Sequence, residues 1–194
     1  MRSDALRRRA AIVRAARHQF AAHGAAVPLE TIAEASGVGI ATLYRNFESR
    51  AALADAVSLA ILDDMQRAAA EALSRMSARP AQAWRAFLVQ LVDLELGALT
   101  DALTLPIADD LAADVRAAQD ATLARVRDLL DAARAAGLVR AELDALELVL
   151  AIGMITRPVP TALRALTPQL VPRVVTIFAA GLASAPSQSR KMSG

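Results

Sequence analysis

The sequence predicts an all-α protein of about nine helices, with an N-terminal three-helix head followed by a larger helical body. Three observations carry this. Apolar residues fill 55% of the 194 positions while aromatics fill 3%, so alanine and leucine, both strong helix formers, supply the apolar matter. Apolar positions recur every three and four residues, the spacing of a helix that buries one stripe. The breaks fall at Gly24, Gly37, Arg79-Pro80, Gly137 and Arg157-Pro-Val-Pro160, where glycine or proline stops a helix.

In chain order, the first helix spans about Asp4 to His23. Leu6, Val13 and Phe20 lie one heptad apart, and Ile12 and Ala16 widen the stripe. The second, Leu29 to Ser36, is apolar at Leu29, Ile32 and Ala33. Val27-Pro28 precedes it, which loses a side-chain cap although proline suits a first helical position. Gly37 then enters the left-handed region without a Cβ penalty and swings the chain away. A third helix, Ile40 to Phe47, buries Leu43 and Phe47, with Val38 filling the gap to small Ala33. Two short helices about a tight glycine turn make a helix-turn-helix. The outward face of the second carries Thr42, Tyr44, Arg45 and Asn46, groups suited to phosphate oxygens and to base edges in a major groove.

The body begins with a long helix from Arg50 to Met76, apolar at Leu53, Val57, Ile61, Met65 and Leu73, which joins head to body and is the natural lever of a switch. Trp84, Phe87, Leu88, Leu91, Val92, Leu94 and Leu99 mark a fifth helix, and Pro106 opens an irregular stretch. Further helices run from Asp114 to Ala136, Leu143 to Thr156 and Val171 to Ala183; the Ser-rich end is expected to be disordered. The domains expected are therefore 1–49 (head), 50–183 (body) and 184–194 (tail).

Leu148 to Ile155 is apolar on all sides and Val174 to Leu182 nearly so, and such helices must be covered all round. A membrane span needs about 20 residues, and Glu147, Arg157 or Arg173 intervenes first. The expectation is a four-helix interface between two copies, through Leu146, Val149, Leu150, Gly153, Val174, Ile177, Phe178 and Gly181, the glycines allowing close approach. A large monomeric core is the alternative.

Charge is uneven. The first 50 residues hold eight arginines against four acids, and the rest fourteen bases against sixteen acids, so the positive end coincides with the helix-turn-helix. Cysteine is absent, which removes disulfides and thiolate zinc sites and fits a reducing cytoplasm; no apolar run follows the first charges as in a secretory signal. No metal site or cofactor is expected. His18 and His23, five apart on one helix, misalign for a metal, and Asp109-Asp110 with Asp114 has the wrong spacing for a Mg²⁺ motif, with Asp63-Asp64 no convincing second one. Phosphate loops and nucleophile elbows are missing, so catalysis is the reading least supported.

Residues 7 to 55 resemble the N-terminal domain of the TetR/AcrR family of bacterial transcriptional regulators: Phe20-Ala-Ala-His-Gly24, Ile32-Ala33, Gly37-Val38, Thr42-Leu-Tyr-Arg-Asn-Phe47 and Arg50-Ala-Ala-Leu53. The resemblance covers about a quarter of the chain. Where family members commonly open the third helix with Ser and then Lys or Pro before Gly, this chain has Gly39-Ile40-Ala41, so a phosphate-seeking group is absent. The resemblance implies a homodimeric regulator, most often a repressor, that reads palindromic double-stranded operator DNA and is released by a small ligand. The residues expected at DNA are Thr31, Gly39, Ile40, Ala41, Thr42, Tyr44, Arg45, Asn46 and Arg50, with Arg7 to Arg9 as secondary phosphate partners. Candidate walls for an apolar effector are Met65, Trp84, Phe87, Leu91 and Met154, each of which also fits ordinary core. A helical binding or assembly protein that leaves DNA alone is the main alternative.

Overall fold

The computed structural model describes residues 2–24, 26–94, 96–97, 112–140, 142–157 and 161–183. Leu99, Pro106, Asp109, Asp110, Pro158 to Pro160 and the 184–194 tail lie outside them. Among the described residues there are nine helices and no strand: α1 (Arg2–His23), α2 (Leu29–Ala35), α3 (Ile40–Asn46), α4 (Arg50–Met76), α5 (Pro80–Asp93), α6 (Ala113–Ala135), α7 (Ala145–Ile155), α8 (Thr161–Leu166) and α9 (Leu170–Ala183). Two differ from expectation. α5 starts at Pro80, a residue suited to a first helical position, and ends at Asp93, so Leu94 is its C-cap and not part of the helix. α8, six residues long, is too short to show an apolar stripe.

α4 is the spine. Its N-terminal part supplies Leu53 and Val57 to a core shared with Ile12, Ala16 and Phe20 of α1, Leu29, Ile32 and Ala33 of α2, and Leu43 of α3. Further along, Ile61, Met65, Ala69 and Ala72 pack with Trp84, Phe87, Leu88 and Leu91 of α5 and Val126, Leu129, Leu130 and Ala133 of α6. Each fully buried Leu or Phe contributes about 1.5–3 kcal/mol, and because α4 runs through one continuous cluster of buried residues, the head and body parts of that core are linked in stability. The α1 stripe is Ile12, Ala16 and Phe20; Leu6 is 68% exposed, within a stretch from residue 4 to residue 10 that is exposed throughout, and Val13 is half-buried against the edge of the core.

Polar contacts tie the elements together. Arg17 of α1 donates through Nη1 to Asp64 of α4 (2.5 Å) and through Nη2 to the Leu94 carbonyl just after α5 (3.3 Å). Thr122, a buried hydroxyl on α6, donates to the Ala118 carbonyl (2.7 Å) and accepts from Gln66 Nε2 of α4 (3.0 Å). α7 starts with a capping box: Asp144 Oδ1 accepts from the Glu147 amide (2.8 Å), and Glu147 Oε2 accepts from the Asp144 amide (2.7 Å). The end of α9 is pinned where the Arg140 amide donates to the Leu182 carbonyl (2.7 Å).

Gly153 departs from the sequence expectation. It is buried inside this chain, its carbonyl facing Gly97, where a Cβ would lie 2.2 Å from the Gly153 oxygen and 2.4 Å from the Arg157 nitrogen. The missing side chain of Gly97 thus serves an intrachain contact with the Gly153 backbone, sealed by the Gly97 amide donating to Thr156 Oγ1 (3.0 Å). The other residues named for an interface are placed differently. Leu146, Leu150, Ile177 and Gly181 are exposed, and Val149, Val174 and Phe178 half-buried, on α7 and α9, which pack side by side. No helix among the described residues is long and apolar enough to cross a membrane.

Candidate nucleic-acid interface

The turn between α2 and α3 is built by one glycine. Gly37 has φ +71°; its amide donates to the Glu34 carbonyl (3.0 Å) and the Val38 amide to the Ala33 carbonyl (3.0 Å). Together with the Ser36 hydroxyl, which also donates to the Ala33 carbonyl (2.9 Å), these two bonds close the end of α2 as the chain turns toward α3. Gly39, with ordinary φ of −73°, precedes α3 and offers no side-chain cap. Leu43 and Phe47 are buried and Val38, partly buried, packs against the same core, so α3 is held by one apolar edge.

The opposite edge faces outward. Gly39, Ala41, Tyr44 and Arg45 are exposed, with Tyr44 at 51%, while Ile40, Thr42 and Asn46 are half-buried. Thr31 of α2 and Arg50 in the first turn of α4 are also half-buried. Ser49 caps α4 by accepting from the Ala52 amide (3.0 Å). Within α3, Arg45 Nη2 donates to Thr42 Oγ1 (2.9 Å) and Asn46 Nδ2 donates to the Thr42 carbonyl (2.8 Å). The guanidinium and hydroxyl expected to meet DNA therefore meet each other first, and a duplex must exchange that single exposed contact, a bond worth little net free energy in water.

The first-helix arginines are not equivalent. Arg7 pairs with exposed Asp4 (2.5 Å), a contact of small energetic weight. Arg9 donates through Nη1 to the Asn46 carbonyl at the end of α3 (2.9 Å), and its Cζ lies 4.2 Å from the centroid of the Phe47 ring. Sequence reasoning missed this, because the partners are 37 residues apart and nothing local signals the pairing.

Met65, Trp84, Phe87 and Leu91 are brought into one buried region on α4 and α5, with the Trp84 and Phe87 ring centroids 5.9 Å apart. Trp84 is 5% exposed and its Nε1 has no hydrogen-bond partner. Met154 is not among them. It is 74% exposed on the outer side of α7, four and eight residues from Leu150 and Leu146, because burial of Ile152 and Gly153 turns it away. Asp63 and Asp64 form ion pairs with Arg67, and Asp64 also with Arg17; His18 and His23 lie exposed on α1. Among the described residues no group of His, Cys, Asp or Glu is arranged to hold a metal.

A glycine-turned helix pair that presents a polar edge, mounted on a helical body through a single long helix, defines a helix-turn-helix DNA-binding regulator. Residues 12–57 match the bacterial regulatory proteins of the tetR family, and residues 79–184 match the SbtR-like transcriptional regulator C-terminal domain. A TetR transcription regulatory protein of Mycobacterium vanbaalenii is 33% identical over 93% of this chain and 98% of its own, with a TM-score of 0.61. A TetR transcriptional regulator of Streptomyces coelicolor is 29% identical over 90% and 97%, with a TM-score of 0.63. A TetR family regulator of Marinobacter aquaeolei, 20% identical over 97% and 91% with a TM-score of 0.55, shares the fold. No curated protein matches the chain. The chain belongs to the TetR family of bacterial transcriptional regulators.

Proposed function

We propose that the protein is a cytoplasmic homodimeric repressor that reads a palindromic operator through residues 1–49 and is released when a small ligand binds within residues 50–183. The observation that carries this reading is the exposed edge of α3, where Tyr44 and Arg45 project from a helix whose opposite edge is buried. A two-fold pair sets two such edges into successive major grooves about 34–36 Å apart, which makes the preferred site a palindrome. Thr31 and Arg50 flank that edge as phosphate partners, and the exposed apolar residues of α7 and α9 supply the pairing surface.

Release works through α4, which serves the head core and the body core at once. A ligand that prefers one arrangement of the body shifts α4 and with it the separation of the two α3 edges; the effect is limited by its differential affinity for the two arrangements. The buried region of Met65, Trp84, Phe87 and Leu91 supports an apolar effector, and the unpartnered Trp84 Nε1 supports one that also carries a hydrogen-bond acceptor.

Selection of duplexes from a random pool by the full-length protein tests the reading. Recovery of a palindrome whose binding weakens about 10³-fold or more between about 50 and 200 mM salt is the expected result. Failure to enrich any sequence at low salt overturns the operator and leaves a helical ligand-binding or assembly protein. The single tryptophan, Trp84, provides an emission signal for effector titration.

A further inference from the structure

We infer that Arg9 is a positioning residue for DNA reading, one that anchors the C-terminal end of the recognition helix instead of bonding to phosphate; this rests on the DNA-binding function proposed above. α3 has seven residues and no side-chain cap at its start, so its orientation depends on its buried edge and on its other end. At that end the last carbonyls lack helical partners. The Asn46 carbonyl finds one in Arg9 Nη1 at 2.9 Å, and a cation at a helix C-terminus is favoured by the backbone dipoles. The same guanidinium lies over Phe47, at 4.2 Å from the ring centroid, and Phe47 is itself buried in the head core. A planar guanidinium can donate in its plane and stack through its face at once; an ammonium cannot do both with the same geometry.

The arrangement gives the exposed N-terminal turns of α1 a purpose that burial does not explain. Residues 4–10 are all exposed and add nothing to the apolar core, yet from this stretch Arg9 reaches the end of α3. A group fixed in this way sets the angle at which Tyr44 and Arg45 meet a groove, so its loss should harm discrimination between sequences more than general attraction to phosphate.

The test uses the full-length protein, a duplex that it has selected from a random pool, and an unrelated duplex of equal length. Arg9 is exposed, so both Arg9→Lys and Arg9→Met should fold. Each should weaken binding to the selected duplex by about tenfold, the scale of one charge-assisted bond with a stacked cation. Arg9→Lys should leave the unrelated duplex bound within about twofold, and Arg9→Met should leave the salt slope within about 0.3 of the parent, since no phosphate contact is removed. Without DNA, amide exchange at Tyr44 to Phe47 should quicken severalfold in both. Full affinity of Arg9→Lys for the selected duplex, a fall of about one in the salt slope of Arg9→Met, or unchanged amide exchange each overturns the anchor. If the parent selects no duplex, the operator reading fails, and the exchange measurement alone still decides whether Arg9 holds α3.

Discussion

Single residues decide where the reading edge points. Gly37 adopts φ +71°, and a Cβ built there meets nothing within 4 Å, so the penalty for any other residue is conformational strain and not collision. Gly37→Ala should lower stability by about 1–2 kcal/mol, the cost of placing a Cβ in the left-handed region, read as a lower denaturant midpoint with an unchanged slope. Native stability in that variant would show that the turn does not need the left-handed backbone. Arg45 acts at the surface. Arg45→Ala removes only its bond to Thr42 from the free protein, so stability should hold within about 0.5 kcal/mol. Operator binding should weaken by about 1–3 kcal/mol if the guanidinium meets a base, with the loss concentrated on one base pair of the site; equal affinity for all substitutions at every position would mean that Arg45 reads no base.

At the scale of elements, what the sequence discloses depends on whether a helix has two different sides. α2 and α3 do, and their buried residues are legible from apolar spacing, while the ends of α1, α2 and α6 are legible from Gly24, Gly37 and Gly137; on α1 the spacing finds Ile12, Ala16 and Phe20 but also offers Leu6, which is exposed. α7 is apolar all round, so its register cannot be read; Met154 and Gly153 exchange places, the first outward and the second inward. The Arg9 anchor and the Gly97 contact join residues far apart in the chain and leave no local trace. Gly97 has a consequence of its own. It lets the chain beyond α5 lie against the last turn of α7, and a Cβ 2.2 Å from the Gly153 oxygen faces backbone, which cannot rotate aside. Gly97→Ala should therefore destabilise the body by about 1–3 kcal/mol or more, as overpacking does, and should raise amide exchange near Thr156 while leaving α3 protected. Exchange raised equally in head and body would mean instead that the two open as one unit.

For the whole molecule, the unresolved demand is the apolar surface of α7 and α9. Leu146, Leu150 and Met154 recur every four residues along α7, and Ile177, at 71% exposure, lies on the neighbouring helix. Burying each against a second copy is worth about 1.5–3 kcal/mol for a fully covered side chain, enough over several residues to offset the cost of association. The same pairing would double the DNA contacts, because a dimer that has placed one α3 holds the other near its half-site at high effective concentration. Ile177→Asp separates these effects from folding. Ile177 makes little contact within its own chain, so helicity and the body core should persist, while a carboxylate facing its own symmetry mate cannot be desolvated without large cost. Sedimentation should then give the mass of one chain, and affinity for the palindromic site should fall by about 10²-fold or more towards that of a single half-site. Ile177→Leu, similar in volume and apolarity, should remain paired and bind as the parent does. If Ile177→Asp sediments as a dimer with parental affinity, the copies pair through another face, and the exposed residues of α7 and α9 must be covered by something other than a second chain.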